Sequence, residues 1–155
     1  MLGKMLETVF DIEADNLLDK ITRVHVVSYV DTSMEEPKSL FDYDKIVEFF
    51  AQDRVWIGHN IIGYDLPALK KVLGIPPPKK IVDTLPLARA LMPSRRRYGL
   101  EQFGEDYGVQ KPEITDWNNL TKEEYQNRCQ EDVKINWRLW TDLRRKLGEL
   151  YETSG

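Results

Sequence analysis

Short apolar runs separated by polar breaks fill the first half of the chain, and one long helical stripe closes it. Thr8–Ile12 (TVFDI) is a β-rich run interrupted by a single acid. Thr22–Val30 (TRVHVVSYV), with valines at 24, 26, 27 and 30, reads as a second strand. Residues 31–38 (DTSMEEPK) supply turn chemistry, which predicts a hairpin into a short third strand at Ser39–Phe41. Asp42 or Asp44 caps a helix running to Ala51, in which Ile46, Val47, Phe49 and Phe50 are apolar. Val55–Gly58 (VWIG) is a short buried strand. Tyr64–Leu73 carries Leu66, Leu69, Val72 and Leu73 at helical spacing and stops at Gly74.

Pro76, Pro77 and Pro78 forbid both a helix and a central strand. Helices follow at Thr84–Leu91, ended before Pro93, and at Leu100–Tyr107, stopped by Gly108. The last helix has the clearest start, a capping box at Thr121-Lys-Glu-Glu124. From there to about Leu147 a stripe runs through Tyr125, Cys129, Val133, Trp137, Trp140, Leu143 and Leu147. Three strands, a helix, a strand and then helices predict an α/β domain with a mixed sheet.

The 155 residues are the size of one domain, taken as 1–155. The chain is 41% hydrophobic and 31% charged, which excludes a mostly disordered protein. No apolar run approaches the roughly 20 residues of a membrane span and no signal peptide opens the chain, so no membrane partner and a cytoplasmic location are expected. One cysteine excludes an internal disulfide framework, and two histidines with it cannot close a zinc site. Any metal must be held by carboxylates. The net charge is −4, but residues 79–97 hold six cations against Asp83 alone, so that stretch carries +5 and the remainder −9. A basic stretch on an acidic body suits a polyanion gripped beside metal-loaded carboxylates; a solvated loop has the same composition.

Three acidic constellations carry the candidate chemistry. Asp11-Ile-Glu13 ends the first strand, where alternate residues share a face, so both carboxylates point the same way. Their repulsion and desolvation are offset by a divalent cation or relieved by solvent at the strand end. Asp65 opens a helix after Gly58-His-Asn-Ile-Ile-Gly-Tyr, where an acid by itself reads as a cap before it reads as a ligand. Asp132 lies at the margin of the last helix's stripe, about 60° from Cys129, where it is solvated, paired with Arg128 or Asn136, or functional.

Taken together and in this order, Asp11/Glu13, Asn60 with Asp65, and Asp132 resemble the DEDD 3′–5′ exonuclease family. Asp11-x-Glu13-x-x-x-Leu17 is similar to the proofreading domains of family A DNA polymerases, those of phages above all. Asp83-Thr-Leu resembles the family's next segment. Leu100–Gly108 is similar to its LxxLxxxYG helix, with Phe103 at the second leucine. The resemblance covers residues 7–145. It implies an RNase H-like fold, three antiparallel-type strands followed by parallel strands with flanking helices. It also implies hydrolysis of the terminal phosphodiester of single-stranded DNA to nucleoside monophosphates. Two divalent ions, Mg²⁺ or Mn²⁺, would be held by Asp11, Glu13, Asp65 and Asp132, with Asp11 bridging them. RNA is an alternative substrate, a separate polymerase an implied partner, and a host cytoplasm the implied place for a phage protein.

The departure from the family lies at Arg128 and Asn127, where one branch has a tyrosine four residues before the last Asp and the other a histidine five before it. Arginine stays protonated and cannot take a proton from water. Arg128 therefore holds the water through a carboxylate, binds the phosphate, pairs with Asp132, or marks a weakened module that only binds a 3′ end or a polymerase. The expected nucleic-acid contacts are Leu17 and Tyr98 for wedging or stacking, Asn60 near the terminal nucleotide, and Arg95, Arg96 and Arg97 along the backbone.

Overall fold

The computed structural model describes residues 5–109, 113–114 and 116–154. Its strands are β1 (Glu7–Ala14), β2 (Val24–Asp31), β3 (Lys38–Leu40), β4 (Val55–Gly58) and β5 (Ile81–Asp83); its helices are α1 (Tyr43–Phe50), α2 (Leu66–Leu73), α3 (Thr84–Leu91), α4 (Leu100–Asp106) and α5 (Lys122–Ser154). The sheet order is β3-β2-β1-β4-β5. β1 pairs antiparallel with β2 and β2 with β3, whereas β4 runs parallel to both β1 and β5. This is the mixed, RNase H-like sheet expected, with β1 at its centre.

Side-chain alternation along β1 builds two cores. Phe10 and Ile12 join Ile46, Phe49, Phe50, Trp56, Leu66 and Leu69 on the α1/α2 face. Val9 joins Ile57, Ala88, Phe103, Val133, Leu139 and Leu143 on the opposite face, beneath α3, α4 and α5. Asp11 and Glu13 have the parity of Val9, so they lie on the face that α5 crosses.

Local signals formed as the sequence predicts. Asp42 caps α1 by accepting from the Asp44 and Lys45 amides. Thr121 and Glu124 close the capping box at 3.1 Å in both directions. Two features were not read. β5 is only three residues long, too short for a periodic signal, and it is held by β4 alone. The segment before α2 is a π-turn at Ile61–Asp65 rather than the first turn of one helix.

On the α1/α2 face Arg54 spans Thr8 and Asp31, at 3.0 and 2.9 Å, with its guanidinium 5.2 Å from the centre of the Phe49 ring. Both partners are nearly buried. Burial pushes the Asp31 carboxyl up, but hydrogen bonds from Ser33 and Arg54 outweigh it and hold the pKa below the usual range. Arg54→Ala leaves that charge without its cation and is expected to destabilise the fold by about 3 kcal/mol. The readout is a lower urea midpoint at unchanged slope; a loss under about 1 kcal/mol would mean that solvent screens the pair.

Candidate metal centre

Carboxylates from three elements converge at the C-terminal end of β1. Oxygens of Asp11, Glu13 and Asp132 lie within 4.8 Å of one another. β1 brings two of them by strand alternation. α5 brings the third, because Cys129, one turn earlier, anchors the helix: its thiol donates to the Asp11 carbonyl at 3.3 Å. Burial, with Asp11 nearby, pushes the Cys129 pKa up, so the thiol stays protonated.

Asp65 arrives from the π-turn. It caps nothing: its side chain makes no bond to the start of α2 and is buried. One of its oxygens, Oδ2, has no hydrogen-bond partner among the described residues. Burial is the main force raising the pKa of Asp65, with Asp83 and Glu13 adding repulsion and the Ile12 amide opposing. Asp11 is likewise raised well above the ordinary range, by burial first, then by Asp132, Asp65 and Glu13. Asp65 is buried and Asp11, Glu13 and Asp132 are half-buried, so the four acids form a negative cluster suited to a cation.

The turn that delivers Asp65 is held by a residue with no assigned role in the sequence reading. The Asp83 carboxylate accepts from the amides of Asn60 at 2.8 Å, Ile62 at 3.0 Å and Leu85 at 3.0 Å. It therefore caps α3 and cradles the π-turn at once. Asn60 takes the left-handed conformation there, at φ 60°. Gly58 is obligatory, since a Cβ would collide with the Ile61 side chain. Asp before a helix is a legible cap signal; the second duty, across 23 residues, is not.

His59 and Asn136 form a second buried support. Burial pushes the His59 pKa down, so the ring is neutral. Its Nε2 faces the Tyr98 carbonyl and its Nδ1 lies 2.8 Å from the Thr84 hydroxyl. Asn136, one turn beyond Asp132, donates to the same hydroxyl at 3.0 Å. These bonds tie β4, α3, α5 and the loop at Tyr98 together behind the acids.

The expected nucleic-acid residues fall into two groups. Leu17 is 73% exposed at the mouth, on the loop after β1. That loop is locked by Asp15, which accepts from the amides of Thr22 and Arg23 and has its pKa lowered to about 2, chiefly by the Thr22 hydroxyl. Asn60 is exposed, and Ile62, which drew no attention in the sequence, projects beside it. Tyr98 is half-buried against the α5-side core and donates to the Met92 carbonyl. Arg95 is engaged locally, paired with Asp106 at 2.5 Å and lying 4.0 Å over the Phe103 ring. Arg96 and Arg97 are exposed. Arg128 lies 4.6 Å over the Trp117 ring, one turn before Asp132.

No protein-family model matches the chain, and no curated protein matches it in sequence. Solved structures do. NrnC of Brucella melitensis aligns with a TM-score of 0.72 and 17% identity over 96% of this chain and 76% of NrnC. It matches equally in the form with bound Mg²⁺. Exonuclease X in complex with 5′ overhanging duplex DNA aligns at 0.62 and 17%, over 91% of this chain and 92% of that one. Escherichia coli Exonuclease I with a dT13 oligonucleotide aligns at 0.69 and 11%, over 97% of this chain and 43% of that one. At these identities the likeness establishes the fold alone, the RNase H-like fold that the family resemblance implies.

Proposed function

We propose that the chain is a divalent-metal-dependent 3′–5′ exonuclease, one domain over residues 1–155, that removes nucleoside monophosphates from single-stranded DNA. The observation that carries this reading is the convergence of Asp11, Glu13 and Asp132 within 4.8 Å. An all-carboxylate donor set fits Mg²⁺ or Mn²⁺, and the partnerless Oδ2 of buried Asp65 faces the same need for a cation. Asp11, Glu13 and Asp132 would hold one ion, with Asp11 shared and Asp65 serving a second. Bound there, the ions supply a water of lowered pKa and a clamp on the phosphate oxygens. The chain's own residues orient the strand. Leu17 wedges at the terminal base, Asn60 meets the terminal nucleotide, and Tyr98 shapes the pocket. Arg96 and Arg97 follow the backbone, Arg95 holds their loop through Asp106 and the Arg97 carbonyl, and Arg128 binds the phosphate beside Asp132. NrnC bound to pGG and Exonuclease X bound to DNA support a nucleic-acid end as the substrate. Proofreading beside a separate polymerase is the finer reading that the Leu17 motif supports.

Digestion of 3′-labelled and 5′-labelled single strands with Mg²⁺, Mn²⁺ or EDTA tests this. Mononucleotides are expected from the 3′ end in metal only. In the same assay Arg128→Ala is expected to raise KM about tenfold, the cost of one charge-assisted bond to phosphate. The second reading, a weakened 3′-end-binding module, draws on Arg128 standing where the family has tyrosine. An inert wild type with activity gained in Arg128→Tyr would establish it and overturn the first.

A further inference from the structure

A cavity of about 1010 Å³ that none of the four acids lines is a groove between the start of β2, the end of β3 and the start of α5. Its origin is a β-bulge. Glu13 pairs with Val26 and Ala14 with Val24, so His25 is an extra residue with no partner on β1. A bulge re-aims a side chain, and here it turns His25 toward α5. There its ring stacks on Tyr125 at 4.1 Å between centroids, nearly parallel at 16°. The Tyr43 hydroxyl accepts from the Val24 amide at 3.1 Å and braces the wall. Two exposed cations stand at the rim, Arg23 and Lys122, the latter 4.3 Å over the Phe41 ring.

We infer that this groove is a second nucleic-acid subsite, carrying the single strand upstream of the nucleotide being removed. The inference rests on the exonuclease reading for the direction of the strand. Its chemistry is that of a single-strand track: cations for the phosphates and an aromatic platform for the bases, without sequence preference. Its place follows from register, since the bulged His25 sits beside Glu13, the last acid of β1. The acids repel a polyanion, and Arg23 and Lys122 offer positive charge at the groove's rim. Leu17 and Asn60 stand by the π-turn, where the Tyr64 hydroxyl donates to the Asn16 carbonyl, and Asp15 ties the Leu17 loop to the groove through the Thr22 and Arg23 amides.

The test uses the full chain carrying Asp11→Asn, whose turnover is expected to be too slow to consume the probe, with and without R23A/K122A. Both cations are exposed, so the fold is kept, and an unchanged Tm checks it. Anisotropy of 5′-fluorescein-labelled oligo(dT) is compared with that of a labelled dinucleotide across a salt series in Mg²⁺. R23A/K122A is expected to lower the ratio of long-strand to dinucleotide affinity about tenfold and to flatten the long-strand salt slope by about 1.4. Tyr125→Phe, which keeps the stack, should retain long-strand affinity. An unchanged ratio overturns the subsite, and so does equal weakening of both ligands, which would place the cations at the terminal nucleotide. A wild type inert in digestion whose Asp11→Asn form still shows the length-dependent loss would sink the nuclease reading and leave this groove standing.

Discussion

Asp11→Asn is expected to lower metal-dependent 3′-end hydrolysis by about 10³-fold or more while raising the Tm of the metal-free protein. Both effects have one cause. Asp11 lies at the centre of the cluster, and its raised pKa reflects burial first and then the charges of Asp132, Asp65 and Glu13. Asparagine keeps the shape and removes the charge that repels its three neighbours, so the apo fold gains. On the proposed reading it would also remove the ligand shared between the two ion positions. Losing a single preorganised hydrogen-bond donor costs other enzymes about 10²–10³ in kcat, and a bridging carboxylate does more than one such donor. Initial rates in Mg²⁺ and thermal melts in EDTA, run on the same preparations, give both numbers. A variant that loses activity and stability together would show Asp11 to be a structural residue and would remove the basis for a metal centre. Retained activity would remove it as well.

The second large effect is a stability profile that metal inverts. Asp11 and Asp65 have folded-state pKa values raised above the ordinary 3.8. Between 3.8 and those raised values the folded chain keeps protons that the unfolded chain has released, so stability falls as pH rises through the window. Below the window the sign reverses. Asp15, lowered to about 2, and Asp31, also lowered, contribute stability that is present above 3.8 and lost as the pH drops through their folded values. Metal-free protein should therefore be most stable in mildly acid solution and weaken toward neutrality. On the proposed reading the deprotonated acids above the window would be the metal-binding form, and Mg²⁺ at about 100 times its Kd should then add about 2.7 kcal/mol. Urea midpoints in EDTA and in Mg²⁺ from about pH 4 upward read the two curves. Asp11→Asn should flatten the metal-free curve and shrink the Mg²⁺ gain. A Mg²⁺ gain of the same size in that variant would locate the ion elsewhere.

The acids illustrate how differently the parts of this site could be read. The spacing of Asp11 and Glu13 was enough to place them on one face, because strand alternation is a property of the backbone. The same is true of the box at Thr121 and Glu124, where donor and acceptor are three residues apart. Asp65 was ambiguous, since an acid before a helix caps it or turns away at similar local cost. The π-turn and the Ile12 amide decided that it turns away. For Arg128, spacing showed the departure from the family, but only the fold revealed Trp117 as its neighbour.

The first strands, the face of the paired acids and the capped starts of α1 and α5 follow from forces acting within one or two turns of the chain, and they could be worked out residue by residue. Bonds made across the fold could not. Asp83 holding the turn at Asn60 and Ile62, Asn136 meeting Thr84 behind the acids, and the bulge that lays His25 on Tyr125 all join residues 21 to 100 positions apart. No local preference selects such partners. They are chosen by which surfaces packing brings together, and the shape of the site around its acids was decided there.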